Sequence, residues 1–348
     1  MKILNKEISA NSKPFIIAEM SNNHLRNKEL ALKMIEVASE CGVDAIKIQT
    51  YTADSLTIDC DRDDFIIKSP PWKGQSYYKL YEEISMPLDW TESLFQKAKE
   101  HNIILFSSPF DEVSVSILEK FDCPLYKVAS FEVQDFKLLK AIAKTGKPVI
   151  LSSGISSFEE IKESVEYLKK YGSSQIAVLH CTSSYPASFE QMNLNALNEL
   201  KKLNIITGLS DHSLSNIPAI TSIAMGGRII EKHFILDRKL GGPDATFSIE
   251  PDELKSLVIS CHNTWKALGS AEILTKGSRL GKEHGRSIYV VKDVKEGDTV
   301  NSENIRVIRP GFGLPPNNYD LVIGQKFTSD IIRGTALSNK HLTMETNK

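Results

Sequence analysis

Between residues 15 and 235 the chain repeats one pattern: a short apolar run rich in β-branched residues, a polar loop, then an amphipathic stretch. Eight such runs occur, over 15–19, 45–49, 103–107, 125–129, 148–152, 176–180, 205–209 and 228–232. Apolar strands alternating with helices are what a parallel sheet covered on its outer face requires. Eight units in close to the usual ~250 residues predict the α/β class and a closed (β/α)8 TIM barrel. Lys28 to Ser39 sets Leu30, Leu32, Ile35 and Val37 at helical spacing, and Ser157-Phe158-Glu159-Glu160 has the form of a capping box opening a helix to about Tyr171. The connection over 51–88, with Pro70-Pro71-Trp72 and the cluster Tyr77, Tyr78 and Tyr81, is too long for a simple βα loop. It reads as an excursion over the barrel mouth that helps select substrate, or else as an ordered packing insertion.

After residue 270 the texture changes to short strands with glycine turns: Arg286 to Val291, Lys295-Glu296-Gly297-Asp298 and Ile305 to Gly311. The expected organisation is a barrel over 1–270, a linker over 271–284 and a small β-rich domain over 285–348. A domain this small is marginal alone and is expected to dock on a barrel, its own or a partner's.

Composition narrows the class. With 348 residues, 41% of them apolar, the chain has material for a large core, and its net charge of −2 gives no global attraction to nucleic acid or anionic lipid. Five scattered cysteines without a CxxC pair argue against disulfides or a thiolate zinc site. The N-terminal residues lack the apolar region of a signal peptide, and no run reaches the ~20 apolar residues of a membrane span. A cytoplasmic protein is expected, with neither nucleic acid nor membrane as partner.

Active sites of parallel barrels lie at the carboxyl ends of the strands, and there polar residues collect. They are Glu19, Asn22, Asn23 and His24; Lys47 and Gln49; Ser107, Ser108 and Asp111; Lys127, Ser130 and Glu132; Ser152 and Ser153; Thr182, Ser183, Ser184 and Tyr185; Ser210, Asp211 and His212; and His233, Asp237 and Asp244. Lys47 and Lys127 stand out, because a lysine inside an apolar strand is costly to bury without an anion. A phosphate or carboxylate ligand supplies one, with nearby hydroxyls and Gly154 completing a cradle. A Lys–Glu pair inside the barrel and a Schiff-base lysine are the other readings. His212 and His233, at successive strand ends, fit a divalent metal such as Mn²⁺ with carboxylate or water in the remaining positions, or else are ordinary hydrogen-bonded rim histidines. His180 reads as a satisfied barrel residue. His24 is either substrate-facing or beside a helix cap. No GxGxxG after a strand, no GxxxxGK[ST] and no GxSxG is present, which disfavours dinucleotide, nucleoside triphosphate and serine-hydrolase chemistry.

Taken together, Glu19-Met20-Ser21-Asn22-Asn23-His24, Lys47-Ile48-Gln49-Thr50, Ser107-Ser108-Pro109-Phe110, Tyr126 to Glu132, His180 to Pro186, Ser210-Asp211-His212-Ser213 and Glu231-Lys232-His233-Phe234 resemble the sialic acid synthase family. The tail, with Arg286-Ser287 and Arg309-Pro310-Gly311-Phe312-Gly313, is similar to that family's antifreeze-like domain. Pro71-Trp72-Lys73-Gly74, Leu80-Tyr81-Glu82-Glu83 and Ser107 to Asp111 look like the pseudaminic acid branch. Phe131-Glu132 and Ser183 stand where neuraminate synthases usually carry Gly-Glu and Asn.

The resemblance implies condensation of phosphoenolpyruvate with an N-acetylated amino sugar, here 2,4-diacetamido-2,4,6-trideoxy-L-altropyranose, to a nine-carbon 2-keto sugar acid with release of phosphate. Synthesis of N-acetylneuraminate or legionaminate is the sibling alternative. It implies that Lys127, Ser130, Ser152, Ser183 and Ser210 hold the phosphate, with Lys47 and Ser108 near the carboxylate end. Glu19 would handle water or a proton, His212 and His233 bind Mn²⁺, and Glu132, Tyr185 and Asp244 face the sugar. Asn23 and Gln49 join the substrate contacts. Arg309 would reach the barrel of the other subunit in a domain-exchanged homodimer and contact an N-acyl group. Two rival classes are a metal-dependent barrel hydrolase, for which a His-x-His on the first strand is missing, and a carbohydrate-binding scaffold, which leaves the strand lysines unexplained.

Overall fold

The structure, a computed structural model, describes residues 1–69, 72–271 and 281–343. Pro70-Pro71 and most of the expected linker lie outside them. The chain divides into two compact units, Met1–Gly269 and Ser270–Lys348.

The first unit is a closed barrel of eight strands: β1 Phe15–Glu19, β2 Ala45–Thr50, β3 Ile104–Pro109, β4 Tyr126–Val128, β5 Val149–Ser152, β6 Ile176–Cys181, β7 Ile206–Asp211 and β8 Ile229–His233. All neighbours pair in parallel and β8 closes on β1, with His233 opposite Glu19 and Glu19 opposite Lys47. The expected barrel is therefore present. Its strands alternate faces along their length, and that alternation decides which polar residues meet at the centre.

Helices cover the outside. Lys28–Glu40 starts where the Asn27 side chain accepts from the Leu30 N–H at 3.0 Å, and it buries Ala31, Met34, Ile35 and Ala38. Phe158–Tyr171 opens with the expected capping box: the Glu160 carboxylate accepts from Ser157 N at 2.7 Å, while Ser157 Oγ accepts from Glu160 N at 3.3 Å. Between β2 and β3, the covering helix Thr91–Glu100 follows an excursion that carries the helices Ala53–Leu56 and Tyr77–Ile84.

A hairpin of Lys2–Ile3 with Lys6–Glu7 lies across the N-terminal ends of the strands. Ile3 and Ile8 are fully buried in the barrel core. Lys6 and Lys13 place their ammonium groups 2.7 and 3.3 Å from Asp44 Oδ1, just ahead of β2, and Ile16 N donates to Asp44 Oδ2 at 3.0 Å. Lys2 N donates to Gln175, just ahead of β6.

The second unit has its own core around Ile288, Val290, Val300, Ile305, Phe327 and Leu337. Its strands β9 Ser287–Val290 and β10 Ile305–Ile308 pair antiparallel, with Arg309 exposed just beyond β10. Among the described residues no helix is long and apolar enough to cross a membrane.

Candidate active site

The carboxyl ends of the barrel strands surround one cavity. Of the expected residues it is lined by Glu19, Lys47, Gln49, Lys127, Ser130, Glu132, Ser152, Tyr185, Ser210, His212, His233 and Asp244. Ser21, Asn22, Phe110, Ala129, Phe131, Cys181 and Glu231 complete the wall.

The two lysines have different partners. Lys47 Nζ lies 2.8 Å from Glu19 Oε2 and 3.8 Å from Glu231 Oε1, and donates to Ser108 Oγ at 3.3 Å. Glu19 Oε1 accepts from Gln49 Nε2 at 3.0 Å. Of the readings open from the sequence, the internal Lys–Glu pair is thus realised at Lys47, whose resident anion is a carboxylate rather than a ligand. Burial pulls the Lys47 ammonium toward the neutral form, but Glu19 and Glu231 outweigh it and its pKa is raised. Burial raises Glu19, Lys47 opposes this, and Glu231 adds to it.

Lys127 has no carboxylate at ion-pair distance among the described residues. Its Nζ donates to Ser152 Oγ at 2.6 Å and to the Val128 carbonyl at 3.0 Å, and burial lowers its pKa below the ordinary lysine range. Beside it, Ser130 Oγ and Ser183 Oγ are 3.2 Å apart. Gly154, with φ +37°, lets the next loop close over them, since a Cβ there would lie 2.0 Å from Ser130 Cβ. The result is a positively charged, hydroxyl-lined recess suited to an anion.

Opposite, the rings of His212 and His233 are 5.2 Å apart. His212 Nδ1 lies 2.9 Å from the Thr182 carbonyl, which fixes the proton there and leaves Nε2 with a free lone pair. His233 Nδ1 is buried without a hydrogen bond, 4.0 Å from Asp244 Oδ2. Burial holds both imidazoles below the usual histidine pKa, and His212 pushes His233 further down. Two neutral imidazoles, one with an orphaned nitrogen, beside the carboxylates of Asp244 and Glu231, fit a divalent cation whose other positions fall to oxygen ligands. No preassembled group of three or more such ligands exists among the described residues.

Toward the mouth, Tyr185 packs its ring 4.4 Å from His212, and Phe247 lies 4.9 Å from His233. Burial pushes the Glu132 carboxyl up to about 7, although Lys127 pulls the other way. Burial also raises Asp244, which accepts from Asn22 N at 3.4 Å.

Several expectations need correction. Asn23 does not reach the cavity: its amide donates to the Phe234 carbonyl and to Ser248 Oγ, both at 2.8 Å, and Asn22 takes its place on the wall. Ser210 Oγ donates to Glu231 Oε1 at 3.0 Å, so its proton is committed to a resident carboxylate instead of a bound phosphate. Ser108 and Ser183 stand behind the wall and act on it through Lys47 and Ser130. Asp211 turns away and pairs with Lys232 at 2.6 Å. His24 accepts from Arg26 N at 3.0 Å and sets its ring 5.8 Å edge-on to Trp90; burial lowers its pKa to about 4, so it is a packing group. His180 contacts the Met192 carbonyl at 2.7 Å, a satisfied group as expected. The described residues of the 51–88 excursion do not line the cavity. Tyr51 donates to Asn22 Oδ1 at 3.1 Å and packs on Phe110 and Tyr81, bracing the wall from behind. Arg309 belongs to the second unit.

The sequence pattern gives Glu231 no role, yet it lines the wall. The signal existed: it lies two residues before His233 on the same strand, hence on the same face.

Comparison with known proteins finds relatives that span nearly the whole chain. Residues 34–273 match the NeuB family and residues 285–343 match the SAF domain. A pseudaminic acid synthase of Campylobacter jejuni is 42% identical over 331 residues, covering 94% of this chain and 96% of its own. A pseudaminic acid synthase of Helicobacter pylori is 36% identical, covering 93% of this chain and 96% of its own. The crystal structure of an N-acetylneuraminic acid synthetase from Leptospira borgpetersenii superposes with a TM-score of 0.73 at 32% identity, covering 80% of this chain and 93% of its own.

Proposed function

The chain belongs to the NeuB family, with a SAF domain following the barrel in the sequence, and from that premise we propose that it is a pseudaminic acid synthase. It is an enzyme of the sialic acid synthase type. The reaction proposed is condensation of phosphoenolpyruvate with 2,4-diacetamido-2,4,6-trideoxy-L-altropyranose, forming a carbon–carbon bond and releasing inorganic phosphate.

One observation carries the reading: Lys127, buried and without a carboxylate partner among the described residues, sits in a hydroxyl-lined recess facing paired neutral imidazoles. Lys127, Ser130 and Ser152 take the phosphate there, with Ser183 held against Ser130. Lys47 and Ser108 lie toward the carboxylate end of the enol ester. C3 of the enol ester bonds to the aldehyde carbon, whose C=O electron pair moves to the oxygen and is protonated; Glu19, oriented by Lys47 on one oxygen and Gln49 on the other, takes the proton of the water that adds to the electron-deficient C2. Collapse of the resulting intermediate returns the phosphate to Lys127 and its hydroxyls, where developing charge meets fixed donors. Glu132, Tyr185 and Asp244 contact the sugar. His212 and His233 would hold a divalent ion, Mn²⁺ in this reading, whose chemistry there is Lewis-acid polarisation of the sugar aldehyde.

The proposal extends to a cytoplasmic, domain-exchanged homodimer in which Arg309 of one protomer contacts the N-acyl group bound by the other. Sedimentation gives the assembly, and mixing Arg309→Ala with Lys127→Met protomers should recover activity only if the site is shared. The reaction itself is tested by phosphate release from phosphoenolpyruvate with a panel of N-acetylated hexoses, with and without the 4-acetamido group. Release that requires the 4-acetamido sugar supports the reading, and preference for N-acetylmannosamine replaces it with the neuraminate sibling.

A further inference from the structure

Ser21 is the conformational outlier of the cavity wall. Its φ is +46°, in the left-handed region that favours glycine, yet it is buried at 4% exposure. Among the described left-handed residues that are neither Gly, Asn nor Asp, Ser21, Leu25 and Arg26 share one loop, and Leu4 lies elsewhere. Neighbouring contacts fix this loop. Met20 N donates to the Lys47 carbonyl at 2.9 Å, Asn22 N donates to Asp244, and Asn23 N donates to the Met20 carbonyl at 3.1 Å. Backbone strain held in place this way concentrates where a site uses it.

The hydroxyl has a use. It accepts from Gln49 Nε2 at 3.1 Å, and the same amide donates to Glu19 Oε1 at 3.0 Å. On its other side it faces the Asp244 carboxyl and hydrogen-bonds to it. Ser21 thus stands between the Gln49–Glu19 pair and the carboxylate assigned to the sugar. Glycine would take this backbone freely, so what the serine adds is the hydroxyl.

We propose that Ser21 is a positioning residue whose hydroxyl sets the Gln49 amide, and through it the Glu19 carboxylate, in register with the sugar end of the cavity. The inference rests on the synthase reading above. Its test compares wild type, Ser21→Gly and Ser21→Ala in phosphate release from phosphoenolpyruvate and the 2,4-diacetamido sugar. Both variants should lose about tenfold in kcat, roughly the effect of one hydrogen bond. KM for phosphoenolpyruvate should stay within twofold of wild type, because Lys127, Ser130 and Ser152 are untouched. The Ser21→Gly melting midpoint should equal or exceed wild type, since glycine relieves the strain. A Ser21→Gly enzyme with wild-type kcat overturns the inference while leaving the synthase reading intact, as does a change confined to KM for phosphoenolpyruvate. A wild-type chain that releases no phosphate overturns the synthase reading, and this inference with it.

Discussion

Lys47 Nζ and Glu19 Oε2 lie 2.8 Å apart, both groups almost fully buried, so one of the two lysines that line the cavity is already neutralised. The other, Lys127, is not. That difference predicts opposite responses to removing the two ammonium groups.

Lys47→Met leaves Glu19 and Glu231 without their shared cation. Breaking a buried pair from one side costs about 3–5 kcal/mol, so the variant should unfold at markedly lower urea concentration. Adding Glu19→Gln should recover at least half of the loss. Equal midpoints for the single and double variants would show that the pair does not hold the barrel end together.

Lys127→Met strands no carboxylate partner. Its melting midpoint should match or exceed that of wild type, while phosphate release should fall by about 10²–10³. Inorganic phosphate should raise the melting midpoint of wild type and not of the variant. A variant that melts several degrees low would make Lys127 a structural residue.

Glu132 gives a signed pH dependence. Its carboxyl is pushed up to about 7 by burial, from an ordinary value of 4.5. The folded state therefore holds the proton more tightly than the unfolded one, so stability is full below pH 4.5 and declines as pH rises toward 7. Glu132→Gln should match wild type near pH 4.5 and exceed it above pH 7, by on the order of 3 kcal/mol. Denaturation curves at pH 5 and pH 8 decide the matter, and a constant difference between the two proteins would remove Glu132 as the source.

His212 and His233 predict a chelation phenotype. Dialysis against a chelator should abolish phosphate release, and Mn²⁺ should restore it. His233→Ala should raise the Mn²⁺ concentration needed for half-maximal rate by roughly ten- to a hundredfold. Full activity after exhaustive chelation would exclude a required ion.

Gly154→Ala tests the anion recess without touching a charge. The new Cβ would meet Ser130 and Ser183, so KM for phosphoenolpyruvate should rise more than tenfold, roughly the effect of one or two displaced hydrogen bonds. Unchanged KM would mean that the loop yields elsewhere.

The sequence pattern carried the barrel well, because each strand is a short apolar run and each run ends in polar residues. What it could not carry was facing. Lys47 and Lys232 both lie inside apolar runs, yet Lys47 enters the cavity while Lys232 turns outward to Asp211. The period of two gives the rule: Lys232 alternates with Glu231 and His233, so if those line the cavity it does not. Beyond the strand ends that rule lapses, and a loop residue is placed by tertiary contacts alone. Asn22 and Asn23 show this, one on the wall and the other tied to Phe234 and Ser248. Glu132 was legible as a polar group near a strand end, but its raised pKa depends on burial that only the packed structure supplies.

The hairpin that buries Ile3 and Ile8 plugs the barrel at its base, the end away from the cavity. A ligand reaching Lys127 therefore enters from the side where the strands end, past the ring of Tyr185.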